Sequence, residues 1–171
     1  RDQLLADILV KAPNAHILLK PFMSPSLADG KFNKRLAAVM DKAGVSDRLH
    51  IIPPLPHSGD LMALIKLADV QLDTYPYGGW TTNLEALYYH LPIVTQAGDL
   101  ARNRWGMGLL GAMGITEGIA HDEAEYVDWA VRFAQDAELR QRVVARITEQ
   151  APKVLFNGEA AQPSYEAALP A

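Results

Sequence analysis

Apolar residues recur at helical spacing from the start of the chain, with Leu4, Leu5, Ile8 and Leu9 leading to Lys11, until Pro13 and Asn14 stop the pattern before an apolar run over residues 15–19. This predicts a helix, a turn and a buried strand. Residues 21–30 form a polar stretch rich in Ser and Pro, after which Phe32, Leu36, Val39 and Met40 mark an amphipathic helix ending at Gly44, a left-handed C-cap. A second strand is expected over residues 49–52, closed by Pro53, Pro54 and Pro56. Residues 57–60 then lead into a third helix carrying Leu61, Leu64, Ile65 and Ala68 on one face, and residues 70–72 form the next strand. The cycle repeats as loop 73–80, helix 81–90, strand 92–95, loop 96–99, helix 100–113 and a short apolar segment 118–120. A helix from Asp122 with Tyr126, Trp129, Ala130 and Phe133, another over residues 137–150, and a tail around residues 156–169 complete the chain.

Strands of four or five mostly apolar residues between helices of ten or more are the sequence form of βαβ units with a parallel sheet covered on both faces. Right-handed crossovers then make a Rossmann-like, doubly wound α/β sheet the expected fold, in one domain over residues 1–171. Ligands of such sheets bind outside the carboxyl ends of the strands, which directs attention to the loops beginning at Pro21, Pro53, Asp73, Gln96 and His121.

Composition removes several function classes. Sixteen basic against twenty acidic residues give a net charge of -4 with no basic stripe, so nucleic acid is not an expected partner. The absence of cysteine excludes disulfides, thiolate metal sites and thiol nucleophiles, and suits a reducing, cytoplasmic setting. No apolar run approaches the roughly 18 residues of a membrane span. The chain enters a helical pattern directly at Arg1, with no Met and no leading strand, so it is expected to be a piece of a longer, two-lobed protein.

One loop carries most of the chemistry. Asp73, Thr74, Tyr75, Pro76, Tyr77, Gly78, Gly79 and Trp80 run from a strand end through a Gly-Gly turn into a helix beginning Thr81, Thr82, Asn83, Leu84, Glu85. Paired glycines let a ligand approach the backbone, and Thr81 and Thr82 offer hydroxyls and free amides at the positive end of a helix, a workable diphosphate site. Glu85, about one turn on, is placed to accept hydrogen bonds from a ribose diol. The same spacing also describes a Thr N-cap with an acidic partner in the first turn, and spacing alone leaves both readings open.

Residues 68–98 add a resemblance. Ala68-Asp69-Val70, Leu72-Asp73-Thr74, the Gly before Trp80, Thr81-Thr82, Glu85-Ala86-Leu87, Leu91-Pro92-Ile93-Val94-Thr95 and Gly98 resemble the nucleotide-binding half of GT-B glycosyltransferases. Within these they are similar to the O-linked N-acetylglucosamine transferase and SPINDLY group, glycosyltransferase family 41, including its bacterial protein-glucosylating relatives. The family signature reads roughly Ala-Asp-Val, Leu-Asp-Thr, Gly-His-Thr-Thr, an Asp, then Gly-Thr-Pro-Met-Val-Thr and a Gly. The likeness continues through Glu125-Tyr126 and Leu155-Phe156-Asn157. It implies that Thr81 and Thr82 hold the diphosphate of a uridine-type nucleotide sugar and that Glu85, where the family has Asp, takes the ribose. Gly78, Gly79 and Trp80 complete this donor-binding set. Trp80 stands where the family has His; it can stack or line a pocket but cannot protonate a leaving phosphate. Leu61 and Leu64 fall near the family's basic uracil-side residues, and the family's phosphate-binding Lys lies on a strand ahead of Arg1.

Further candidate donor contacts are Lys20 at a strand end, with Phe22, and His57, Tyr77, Gln96 and Gly98. His57 reads more readily as a helix cap, and Lys20 as a solvated strand end. Arg102 and Arg104 are candidates for the same anion or for a solvated face; His121 follows a strand near the expected cleft. His16 reads as structural and His90 as a helix end. Trp105, Leu109 and Leu110 are expected to pack their helix on the sheet, and Trp129 and Phe133 to be core. No His, Asp and Glu grouping suggests a metal, no cofactor is expected, and no Ser-His-Asp or carboxylate pair suggests self-contained hydrolysis. The resemblance thus implies the donor-binding lobe of an inverting, metal-independent glycosyltransferase. Such an enzyme moves a hexose or N-acetylhexosamine to a protein side chain, with the acceptor and any catalytic base supplied by the other lobe. The rival expectations are a lobe of a GT-B enzyme acting on lipid or polysaccharide, and a non-catalytic binding module of the same fold.

Overall fold

The structure, a computed structural model, describes residues 1–20 and 30–158. Helix α1 (Asp2–Lys11) leads to strand β1 (Ile17–Leu19), α2 (Lys31–Ala43) to β2 (Leu49–Ile51), and α3 (Ser58–Leu67) to β3 (Gln71–Leu72). Then follow α4 (Thr81–Tyr88), β4 (Ile93–Gln96), α5 (Trp105–Ala112), β5 (Ile119–Ala120), α6 (Glu123–Gln135) and α7 (Ala137–Val154). Every strand pairing is parallel, as the alternation of short apolar runs and helices predicts. The described strands fall in two ladders, β1 with β2 and β3-β4-β5, because β1 and β3 each pair along one edge only.

The larger core surrounds β4. Ile93 and Val94 are buried against Ala86 and Leu87 of α4, Leu109 and Leu110 of α5, Val127, Ala130 and Phe133 of α6, and Val143 and Ile147 of α7. A smaller core under β1 and β2 gathers Ala6, Leu9, Leu36, Met40 and Val45. Helix α1 joins the two: Leu4 and Ile8, one turn apart, belong to the first, and Ala6 and Leu9 to the second. Its C-terminal carbonyls are closed by one side chain. The Arg48 guanidinium donates to the carbonyls of Leu9 (2.8 Å) and Ala12 (3.0 Å), placing a cation at the negative end of the helix.

Two elements differ from the sequence pattern. In place of one helix over residues 100–113, a short 3-10 turn (Ala101–Asn103) precedes α5. Asn103 makes that break by accepting the Leu100 N–H on its side chain (3.0 Å) and the Gly98 N–H on its carbonyl (3.2 Å). Helix α7 runs past Gln150, with Pro152 tolerated in its last turns. The expected loop over residues 21–29, with Phe22, and the tail beyond residue 158 lie outside the described residues. No described helix is long and apolar enough to cross a membrane.

Candidate functional site

The chain leaves β3 through Asp73, a strand-end carboxylate that turns inward and is only 6% exposed. Such a group must be satisfied by hydrogen bonds. Its Oδ1 accepts the N–H of Thr74 (2.9 Å) and of Gly79 (2.7 Å), and its Oδ2 accepts the Thr95 hydroxyl of β4 (2.8 Å). The Tyr126 hydroxyl of α6 donates to the Asp73 carbonyl at 2.8 Å. Burial, with the Asp73 carboxylate nearby, raises the Tyr126 hydroxyl above its ordinary pKa and keeps it a neutral donor.

These bonds curl residues 73–79 into a fixed loop. The Thr74 hydroxyl donates to the Tyr77 carbonyl (2.6 Å), and the Gly78 N–H donates to the Arg102 carbonyl (2.9 Å), tying the loop to the segment ahead of α5. The Tyr75-Pro76 bond within it is cis. A Cβ at position 79 would lie 2.1 Å from Thr82 Oγ1, so a larger residue there would displace that hydroxyl. The fully buried Asn83 closes the turn by donating to the Gly79 carbonyl (2.6 Å) while accepting from Gln71 (2.6 Å).

Helix α4 starts from this frame with its N-terminus open. Trp80 is the N-cap residue, and an indole offers no acceptor, so no side chain caps the helix. The Thr81 and Thr82 hydroxyls and the Glu85 carboxylate have no hydrogen-bond partner among the described residues. The capping box that the spacing also allowed is therefore not formed. Thr81 and Glu85 open on a groove whose remaining walls include Met62 of α3, Leu84, Tyr88 and Phe156. Uncapped amides, two hydroxyls and a free carboxylate along one helical turn are suited to an anion with a diol beside it.

The other candidates divide. Gln96 ends β4 and accepts from Arg1 (2.6 Å), and the Gly98 backbone is held by Asn103, which leaves both beside the loop system at the strand ends. Tyr77 projects from the loop, 63% exposed. His57 caps α3, its N–H donating to Asp60 (3.2 Å), in keeping with the cap reading. His121 is engaged by Glu125, 3.0 Å from its Nδ1; the His121 N–H, then the ring, holds the Glu125 carboxyl below its ordinary pKa. Lys20 follows β1, in the other ladder, and no hydrogen bond or ion pair joins it to the loop. The guanidinium groups of Arg102 and Arg104 are exposed and unpaired among the described residues. Leu61 packs against the larger core, as do Trp129 and, at its centre, Phe133.

Trp105 corrects the expectation that it packs α5 on the sheet with Leu109 and Leu110. Those two leucines are buried, but the Trp105 ring stands at the first position of α5, edge-on to Tyr77 (5.4 Å between centroids) and Trp80 (6.1 Å). Asp73, Thr95 and Tyr126, which hold the loop, lie in segments that carry the family resemblance, but the sequence assigns them no role in the site. Among the described residues no group of three or more His, Asp or Glu is arranged to hold a metal ion.

A model of the family described as Glycosyl transferase family 41 matches residues 3–162. The chain is 34% identical over 137 residues to the probable UDP-N-acetylglucosamine-peptide N-acetylglucosaminyltransferase SPINDLY of Arabidopsis thaliana, covering 78% of this chain and 14% of that protein. It is 35% identical over 82 residues to the UDP-N-acetylglucosamine-peptide N-acetylglucosaminyltransferase of Caenorhabditis elegans, covering 48% of this chain and 7% of that one. Among solved structures, a mutant of the Thermobaculum terrenum O-GlcNAc transferase superposes with a TM-score of 0.82 at 31% identity, over 97% of this chain and 32% of that chain. The chain thus spans about 14% of the length of the SPINDLY relative and about a third of the solved one.

Proposed function

The chain belongs to glycosyl transferase family 41, and on that premise we propose that it is the donor-binding lobe of an enzyme that transfers a sugar from a nucleoside diphosphate to a peptide side chain. The observation that carries this reading is the uncapped start of α4, with Thr81 and Thr82 hydroxyls and a Glu85 carboxylate that are unpaired among the described residues, held behind a Gly78-Gly79 turn that Asp73 pins from inside. In the proposed complex the α4 amides and the two hydroxyls bind the diphosphate, and Glu85 accepts from the ribose diol. Gly78 and Gly79 keep the backbone close to the phosphates, with Gln96 and Gly98 at the end of the neighbouring strand.

Transfer of a hexose or N-acetylhexosamine loads negative charge onto the departing diphosphate. Preorganised amides and the positive end of α4 stabilise that charge in the proposed mechanism, which therefore needs no metal for this purpose. Inversion at the sugar and a peptide acceptor are part of the same proposal, and family membership supports them. The acceptor groove and the group that takes the acceptor proton are assigned to the partner lobe of such an enzyme, since no described side chain of the site is placed as a base.

Titration calorimetry with uridine diphosphate and guanosine diphosphate tests the reading. Uridine diphosphate is expected to bind at micromolar to millimolar concentration and to compete with its sugar conjugate. No heat and no chemical-shift change with either nucleotide up to several millimolar refutes the donor-site assignment and favours a binding module that has lost the chemistry.

A further inference from the structure

Three aromatic rings stand together where the loop meets α5, and we propose that they form a stacking platform for the sugar ring of the donor. Tyr77 is 63% exposed and Trp80 50% exposed, and both meet the edge of Trp105. Large rings left in water at the mouth of a site are a recurrent mark of ligand contact, and each keeps a flat apolar face available. The inference rests on the donor reading above and extends it to a part of the ligand that reading leaves without a partner.

Placement selects the occupant. A nucleotide sugar is linear, in the order base, ribose, diphosphate, hexose. With the diphosphate at Thr81 and Thr82 and the ribose at Glu85, the sugar lies on the far side of the phosphates from Glu85. That side is occupied by Trp80, the residue immediately before Thr81, and by its two aromatic neighbours. A hexopyranose presents C–H groups on one face, which pack on an aromatic ring, and leaves its hydroxyls to polar neighbours. The platform is also preorganised. Gly78, between Tyr77 and Trp80, is bonded to the carbonyl of Arg102, three residues ahead of Trp105, and the Tyr77 carbonyl is fixed by the Thr74 hydroxyl.

The experiment compares dissociation constants of uridine diphosphate, UDP-glucose and UDP-N-acetylglucosamine for the chain and for its Trp80→Leu, Trp80→Phe and Tyr77→Ser variants, each checked for an unchanged melting curve. Trp80→Leu is expected to lower the affinity for the sugar nucleotides about fivefold more than it lowers the affinity for uridine diphosphate, the scale of one lost aromatic contact. Tyr77→Ser acts in the same direction and Trp80→Phe restores most of the ratio. An unchanged ratio in Trp80→Leu and Tyr77→Ser with intact nucleotide binding overturns the platform alone. Equal weakening of all three ligands by Trp80→Leu also overturns it, assigning the ring to the nucleotide. Absence of uridine diphosphate binding in the parent chain overturns the donor reading and the platform together.

Discussion

Replacing Asp73 tests whether the loop is held as its geometry implies. In Asp73→Ala the Gly79 N–H and the Thr95 hydroxyl lose their acceptor inside the protein, whereas the Thr74 N–H turns to water. Each buried donor left unpaired costs about 1–3 kcal/mol, so the variant should lose about 3 kcal/mol. For a chain of this length that corresponds to roughly 6–12 °C in melting temperature. Asp73→Asn is the informative partner. Its carbonyl oxygen keeps both amide donors at the Oδ1 position, its amide nitrogen faces Thr95, and the hydroxyl rotates to accept. The loss is then the charge assistance of three bonds, about 1 kcal/mol and roughly 2–4 °C. Urea and thermal unfolding followed by far-ultraviolet circular dichroism measure both. A double-mutant cycle with Thr95→Val should return a coupling of about 1 kcal/mol, because the two side chains share one bond. Additive effects, or an Asn variant as damaged as the Ala variant, would show that the carboxylate is not the tie that holds the loop.

Three further outcomes follow from other residues. Thr82→Ala and Glu85→Ala should each weaken uridine diphosphate binding several-fold in calorimetry with melting curves nearly unchanged, because neither side chain has a hydrogen-bond partner among the described residues; loss of folding instead would restore a capping role. Gly106→Ala brings a Cβ to 2.5 Å from Thr95 Oγ1 and 2.9 Å from Asp73 Oδ2 and should cost about 2 kcal/mol in urea unfolding. Gly108→Ala, two residues on in the same helix with nothing near its added methyl, should gain about 0.5–1 kcal/mol. Burial raises the Glu117 carboxyl, but bonds from its own and the Thr116 amides and the Arg146 guanidinium, whose Nη1 reaches both carboxylate oxygens, outweigh it and leave its pKa below the ordinary 4.5. The stability this adds is complete above that value and disappears as pH falls through the lower folded one, so the gap between parent and Arg146→Ala should be widest near neutrality and narrow as pH falls below 4.5.

The parts of this protein that were legible in its sequence are those encoded locally. Parallel strands and their order came from apolar runs of strand length alternating with helical spacing, and the loop from Gly78 to Glu85 announced itself because its glycines, hydroxyls and carboxylate lie within eight residues. What could not be read depends on distant partners. Asp73 looks like a solvated strand end until β4 brings Thr95 to it across 22 residues and α6 brings Tyr126 across 53. Trp105 has the spacing of a core residue beside Leu109 and Leu110. Its ring instead meets Tyr77 and Trp80, at the first position of a helix that restarts after the Asn103 turn.

Two carboxylates twelve residues apart on this segment show what distinguishes frame from site. Asp73 points inward and is saturated with donors; Glu85 is half-buried at a groove and has none among the described residues. Lack of a partner at a partly wet position costs little and by itself means little. It acquires meaning here because the atoms around it do not move freely: Gly79 is fixed by Asp73, Asn83 by Gly79 and Gln71, and the start of α4 by both. A ligand arriving at Thr81, Thr82 and Glu85 therefore has little loop entropy to overcome, and on the proposed reading this lets a few exposed hydroxyls and amides hold a highly charged diphosphate in water. The buried polar frame supplies rigidity and the open helix end supplies chemistry, and neither would suffice without the other.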